Sequence, residues 1–213
     1  MKTAPIFLAA VVLSAFSVAG VALVAVTHQV MDGRIAENER LAMQGKIESI
    51  IPSGQFDNDP LEDLIQVSAR PLLGAESTRV YRVRKGDEPV AVILDPVVPD
   101  GYAGPIKLLV SVLRDGTVGG VRVLLHHETP GLGDKIEERK SDWVLGFDGK
   151  SLSDPTIEGW AVKRDGGEFD QFTGATITPR AIVNAVKNTL IYVRQQGDTL
   201  FDPVDVTATK GTG

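Results

Sequence analysis

The chain has 213 residues, 43% of them hydrophobic and 23% charged, with a net charge of −6. That composition suits one globular domain plus an anchor, excludes a disordered chain, and argues against a nucleic-acid partner. No cysteine is present and histidine occurs only as His28, His126 and His127. This excludes disulfides, thiolate metal sites, cysteinyl flavin linkage and Cys-ligated iron–sulfur clusters within the chain, and no metal site is expected.

Residues 5–26 carry no charge and are mostly Ala, Val, Leu, Ile and Phe. As a helix they would span roughly 30 Å, the thickness of a bilayer core. Lys2 precedes this run, and Asp32, Arg34, Glu37 and Glu39 follow it. The charge bias predicts a single-pass helix with a cytoplasmic N-terminus and the remaining chain on the far side. A cleaved signal peptide is the competing reading. Its apolar region would be shorter, and the small residues Ala19, Gly20, Ala22 and Ala25 lie inside the run rather than after it. The expected organisation is an N-terminus and transmembrane anchor over 1–28, a juxtamembrane helical segment over 29–75, the main domain over 76–200 and a flexible tail over 201–213.

Ile35, Leu41, Ile47 and Ile50 recur near helical spacing, so Arg34 to Ile51 reads as a helix ended by Pro52-Ser53-Gly54. Phe56-Asp-Asn-Asp59 is a polar turn, and Asp59-Pro60 opens a predicted short helix through Gln66. Thr78 to Arg84 and Pro89 to Leu94 read as a hairpin, and Ile106 to Leu113 and Val118 to Leu125 as a second hairpin around Asp115-Gly116. Asp134 to Lys140 reads as a short helix and Thr156 to Val162 as a strand. Thr178 is the predicted N-cap of a last helix with Pro179 at its first helical position. The apolar face of that helix is Ile182, Val183, Val186, Leu190 and Val193, and Gly197 lies beyond its end. The fold class is α+β: one membrane helix, then a twisted antiparallel sheet with packed helices.

Three stretches carry chemistry: Gly101-Tyr-Ala-Gly104, Glu128-Thr-Pro-Gly-Leu-Gly133 and Asp170-Gln-Phe-Thr-Gly-Ala-Thr176. Their glycines let backbone N–H groups approach a ligand closely. No phosphate-loop Lys-Ser/Thr and no Gly-x-Gly-x-x-Gly is present, which disfavours a nucleoside triphosphate or a dinucleotide. The third stretch offers a hydroxyl in a small-residue turn just before a helix, where free N–H groups favour a phosphate.

The pattern Asp-x-x-Ser/Thr-Gly-Ala-Thr resembles the flavinylation signature of the FMN-binding domain family. The three stretches together, with Phe56-Asp-Asn-Asp59, Trp143 and Phe147, resemble the G-type flavoprotein family of the Rnf (Rsx) ion-translocating electron transport complex over nearly the whole chain. The C-type flavoprotein of the sodium-translocating NADH:quinone reductase shares the signature but is usually longer. The resemblance implies FMN held covalently through a phosphoester to Thr176, attached by a separate magnesium-dependent flavin transferase. Thr173, another hydroxyl, is the competing acceptor. Asp170, Gly174 and Ala175 belong to the same motif, and Glu128, Thr129, Gly131, Leu132 and Gly133 are the implied flavin-pocket residues. Ala103 stands where the family often has glycine.

The resemblance further implies a bacterial inner-membrane electron carrier with its FMN domain in the periplasm. It would work beside other membrane subunits of a complex coupling ferredoxin/NAD electron transfer to ion translocation, with no catalytic residue and no turnover of its own. A flavin-bearing sensor and a flavin-free adaptor are the alternatives from other classes. No Ser/His/Asp or paired-carboxylate arrangement supports a hydrolase.

Overall fold

The computed structural model describes residues 4–51 and 53–202. The chain divides into two compact units between Gly45 and Lys46. Helix α1 runs Ala4–Ile50, so the predicted membrane and juxtamembrane helices are one element. No proline lies between Pro5 and Pro52 to break it. In the first unit the apolar side chains are exposed on every side of the helix: Phe7, Leu13, Phe16, Val21 and Leu23 are all more than 60% accessible. A helix apolar all round needs a core or a bilayer to cover it, and this one is long and apolar enough to cross a membrane.

The second unit holds a six-stranded, wholly antiparallel sheet of β1 (Leu64–Val67), β2 (Thr78–Lys85), β3 (Glu88–Leu94), β4 (Val97–Val98), β5 (Ile106–Leu113) and β6 (Val118–Leu125). Strands β1, β2 and β3 lie side by side. Strand β5 takes β3 and β4 along one edge and β6 along the other. Both predicted hairpins are present, each within a residue of its expected ends. Alternation sorts the side chains onto two faces. Val80, Leu94, Val110 and Val121 share one face, and Tyr81, Ile93, Ser111 and Gly120 share the other.

Helix α3 (Ile177–Gln196) packs on the first face through Ile182, Val183, Val186, Leu190 and Val193, all buried in the main core. The second face is closed by the last turn of α1. Ile47, Ile50 and Ile51 are buried, and a Cβ at Gly120 would stand 2.9 Å from Ile50 Cγ2. Arg122 donates from Nη2 to Ser49 O at 2.7 Å and from Nη1 to Val121 O at 2.9 Å, while Lys46 Nζ lies 3.5 Å from Val123 O and Leu124 O. These cations satisfy carbonyls of β6 and of the last turn of α1 and so tie the two together.

Several sequence expectations give way. The predicted helix over residues 59–66 is a turn followed by β1. The polar turn before it stands in for a short strand. The Asn58 side chain accepts from Arg84 N at 2.8 Å and donates to Arg82 O at 2.9 Å, imitating a neighbour along β2, and Asp57 accepts from Gly86 N. Within 134–140 only Gly133–Ile136 is helical, as a single 3-10 turn. The predicted strand over 156–162 is a 3-10 turn with isolated bridges, because an aromatic cluster rather than a sheet edge organises that region. A short helix, α2 (Arg70–Leu73), ends at Gly74, where φ is +73° and a Cβ would overlap Val97 O. The expected flexible tail over 201–213 begins with a buried residue, Phe201. Arg84 donates to its carbonyl and Arg82 to that of Asp202, while Asp63 pairs with both guanidinium groups. Residues 203–213 lie outside the described residues.

If the last turn of α1 is domain core, Ile47→Ala lowers the stability of the full-length, detergent-solubilised protein by about 2–4 kcal/mol. Leu41→Ala, at an exposed position, leaves it unchanged. Thermal unfolding followed by near-UV circular dichroism compares the two.

Candidate functional site

The segment Asp170 to Thr176 is moored at both ends. Ala175 N–H donates to Phe172 O at 3.1 Å and Gly174 has φ +84°. This places Thr173 and Gly174 at the two central positions of a turn whose third residue needs positive φ, which glycine supplies. Phe172 is buried edge-on against Trp143, with ring centroids 5.1 Å apart. The Trp143 indole N–H donates to Asp170 O at 2.7 Å. Behind it Phe147 stacks on Phe169 at 4.9 Å, and Trp160 lies 5.0 Å from Phe169. Asp170 pairs with Lys163 at 2.6 Å on the exposed surface, a contact that contributes little.

Thr176 already has helical backbone angles (φ −83°, ψ −27°), and its side chain makes no capping bond. Its carbonyl accepts from Arg180 N at 3.3 Å. The hydroxyl therefore sits at the start of α3 without a structural duty, beside N–H groups of the first turn that have no partner inside the helix.

Thr178, the predicted N-cap, does something else. It lies inside α3, fully buried, and its Oγ1 donates to Glu128 Oε2 at 2.7 Å. Glu128 is 5% exposed, and its Oε1 accepts from Ala103 N at 3.1 Å. One carboxylate thus joins the 101–104 turn, the 128–133 loop and the start of α3. Gly133 makes room for it, since a Cβ there would stand 2.5 Å from Glu128 Oε2 and 3.2 Å from Thr178 Oγ1. Ala103, the departure from the family glycine, has no positive φ, so alanine fits without strain.

A cleft of about 360 Å³ opens where these three segments meet, lined by Glu128, Thr129, Leu132, Gly133, Gly174, Ala175 and Thr176, with Tyr102 and Ile177 completing the rim. Asp170, Thr173 and Gly131 are not in the lining. Thr129 is an exposed wall residue, and Gly131 lies in the exposed turn that follows, with a φ of +78°. Tyr102, Leu132 and Ile177 present exposed apolar side chains around the mouth. The volume is at the small end of cofactor sites, and apolar walls beside a free hydroxyl and a helix start suit an aromatic ring carried on a phosphate. FMN therefore fits the residues present. A larger cleft of about 680 Å³ beside Lys46, Arg122 and Arg139 is walled largely by charged groups and suits no such ring.

A second polar network holds the Glu128 loop from behind. His126 Nδ1 accepts from Glu128 N at 3.0 Å, so Nε2 carries the ring proton and faces Glu137 Oε1 at 3.0 Å. Arg139 and Lys140 also reach Glu137, and Lys140 reaches Asp134 Oδ2 at 2.6 Å. Hydrogen bonds from His126 first, then Arg139 and Lys140, hold the Glu137 carboxyl at about 2, well below its ordinary 4.5. His127 is exposed and lines no part of the cleft. Among the described residues no group of His, Asp or Glu is arranged to hold a metal ion.

Residues 101–191 match the FMN-binding domain family, and residues 1–50 match the family described as the RnfG N-terminal region. Proteins named as the G component of the ion-translocating oxidoreductase complex are similar along most of the chain. The one from Pseudomonas aeruginosa (strain PAO1) is 49% identical over 195 residues, 91% of each chain. That from Shewanella loihica is 48% identical over 191 residues, 89% of this chain and 90% of its own. That from Salmonella typhimurium (strain LT2) is 47% identical over 182 residues, 85% and 88% respectively.

Two outcomes follow from this geometry. Gly133→Ala forces the buried Glu128 side chain off Thr178 and destabilises the domain by about 1–3 kcal/mol. Gly146→Ala, where a Cβ meets nothing within 4 Å, is close to neutral, and urea titration of both variants makes the comparison. For Glu137 the folded state favours the carboxylate, so its contribution to stability is complete above pH 4.5 and is lost as pH falls toward about 2. Glu137→Gln flattens the fall in unfolding midpoint over that window.

Proposed function

This chain belongs to the RnfG family, the G component of the ion-translocating oxidoreductase complex, and on that premise we propose that it is the membrane-anchored carrier of one FMN, joined through a phosphoester to Thr176. The free Thr176 hydroxyl in the cleft wall is the observation that carries this reading. Thr173 lies in the exposed turn outside the lining, which favours Thr176 as acceptor. The phosphate would rest against the first turn of α3, and the ring against Leu132 and Tyr102 across the cleft. Glu128, Gly133, Gly174 and Ala175 shape the walls by hydrogen bonding and by the absence of bulk. Asp170 would act on the surface of the acceptor loop, as part of what the flavin transferase recognises.

Isoalloxazine supplies the redox chemistry, and the residues of this chain bind and orient it. The open mouth leaves it accessible to redox centres on neighbouring subunits. Electron traffic between ferredoxin and NAD within the complex, coupled to ion movement, is the setting we propose. The charge bias around the apolar helix supports a cytoplasmic N-terminus and a periplasmic FMN domain in the bacterial inner membrane. No independent turnover is expected of this protein outside the complex.

Thr176→Val, co-expressed with the flavin transferase, should retain its fold and lose the flavin mass adduct and in-gel fluorescence. Thr173→Ala should keep some flavin. Peptide mapping that finds the adduct on Thr173, or on Thr176→Val protein at another residue, would overturn the assignment.

A further inference from the structure

We propose that Glu128 holds the reduction potential of the bound flavin low. The inference rests on the flavin occupying the cleft beside Thr176. Glu128 is a buried carboxylate in the wall of that cleft, and both of its oxygens accept from neutral donors, the Ala103 N–H and the Thr178 hydroxyl. Among the described residues no lysine, arginine or histidine pairs with it. Of the cations of the neighbouring loop, Lys140 is committed to Asp134 and Glu137 and Arg139 to Glu137, while Lys135 is exposed to solvent. What makes the buried charge tolerable is its place against the positive end of α3. Its hydrogen bonds anchor it and shield its field in part, but neither donor brings a positive charge to cancel it.

Reduction of the ring by two electrons, drawn from a redox centre of a neighbouring subunit, with one proton taken from solvent, leaves one negative charge on the ring. A fixed carboxylate in a partly water-excluded wall opposes that charge, because Coulomb interactions are screened less there than in water. A glutamine would make the same two contacts, with its amide oxygen accepting from Ala103 and its N–H₂ donating to Thr178, and would do so without the charge. The carboxylate therefore adds an electrostatic effect that mooring alone does not require.

The test uses full-length protein loaded by the transferase, its flavin content verified by intact mass, with the midpoint potential read by spectroelectrochemical titration in detergent. Glu128→Gln shifts the potential positive. Thr178→Val keeps the carboxylate but strips one hydrogen bond from it, so its field on the ring strengthens and the potential shifts negative. Opposite signs from two variants at the two ends of one contact are the expected result, since a change in how tightly the site is held would not by itself separate them in sign. Shifts of the same sign, or an unchanged potential in Thr178→Val, overturn the proposal, and the latter holds even if Glu128→Gln is not loaded. Wild-type protein that carries no flavin on Thr176 fails the underlying reading instead, at the mass measurement before any potential is taken.

Discussion

The site depends on one buried carboxylate accepting hydrogen bonds from two segments that are distant in sequence. Glu128 draws the Gly101–Gly104 turn and the first turn of α3 onto its own loop. Without that junction the three walls of the cleft would be three independent surface loops. Burying a carboxylate with only neutral partners is costly, and an unsatisfied one would be costlier still. The structure meets the cost by supplying the Thr178 hydroxyl from the first turn of α3, by leaving Gly133 without a side chain, and by bracing the loop from behind through His126 and Glu137. Each glycine in the 128–133 stretch then has a separate reason. Gly133 yields space to the carboxylate, whereas Gly131 supplies a positive φ of +78°.

The segment leading to Thr176 depends on a different kind of force. Its mooring is aromatic: Phe169 and Phe172 are driven into a cluster with Trp143, Phe147 and Trp160. That cluster replaces regular secondary structure over residues 141–175, where only short 3-10 turns and isolated bridges occur. The segment is irregular yet well anchored, because large rings bury much area per residue and fix orientation through edge and offset contacts. A turn held this way presents its small residues, Gly174 and Ala175, to the cleft without needing side chains to brace them.

The sheet was legible because alternation and turn chemistry are local. Asp115-Gly116 and Lys85-Gly86 each sit between apolar runs, and both hairpins follow. The amphipathic face of α3 was legible for the same reason. Long-range roles were not. Thr178 before a proline has every local mark of an N-cap, yet its hydroxyl is taken by a residue 50 positions away. A tertiary bond overrode a local preference. Asn58 likewise reads as a turn residue, and only the folded chain shows it pairing with β2. The last turn of α1 continues an evident helix, but nothing in its spacing tells that Ile47, Ile50 and Ile51 close the second face of the sheet. The motif residues of the site were named from resemblance. The cleft gathers seven of them and leaves Asp170, Thr173 and Gly131 outside its lining.

The shallow, open cleft and the covalent tether proposed for Thr176 would be complementary solutions. Non-covalent cofactor sites typically enclose most of the ligand, because affinity must outweigh the lost translational freedom. Here about 360 Å³ of space is bounded by three loops, and the apolar side chains at its mouth remain exposed. Enclosing the ring further would raise affinity but place protein between it and the redox centres it must meet. The proposed phosphoester would remove affinity from the requirement and leave the walls free to orient the ring and set its electrostatic surroundings. The same logic accounts for a wall residue like Glu128, whose charge would weaken the binding of a phosphate-bearing cofactor that had to be held by contacts alone.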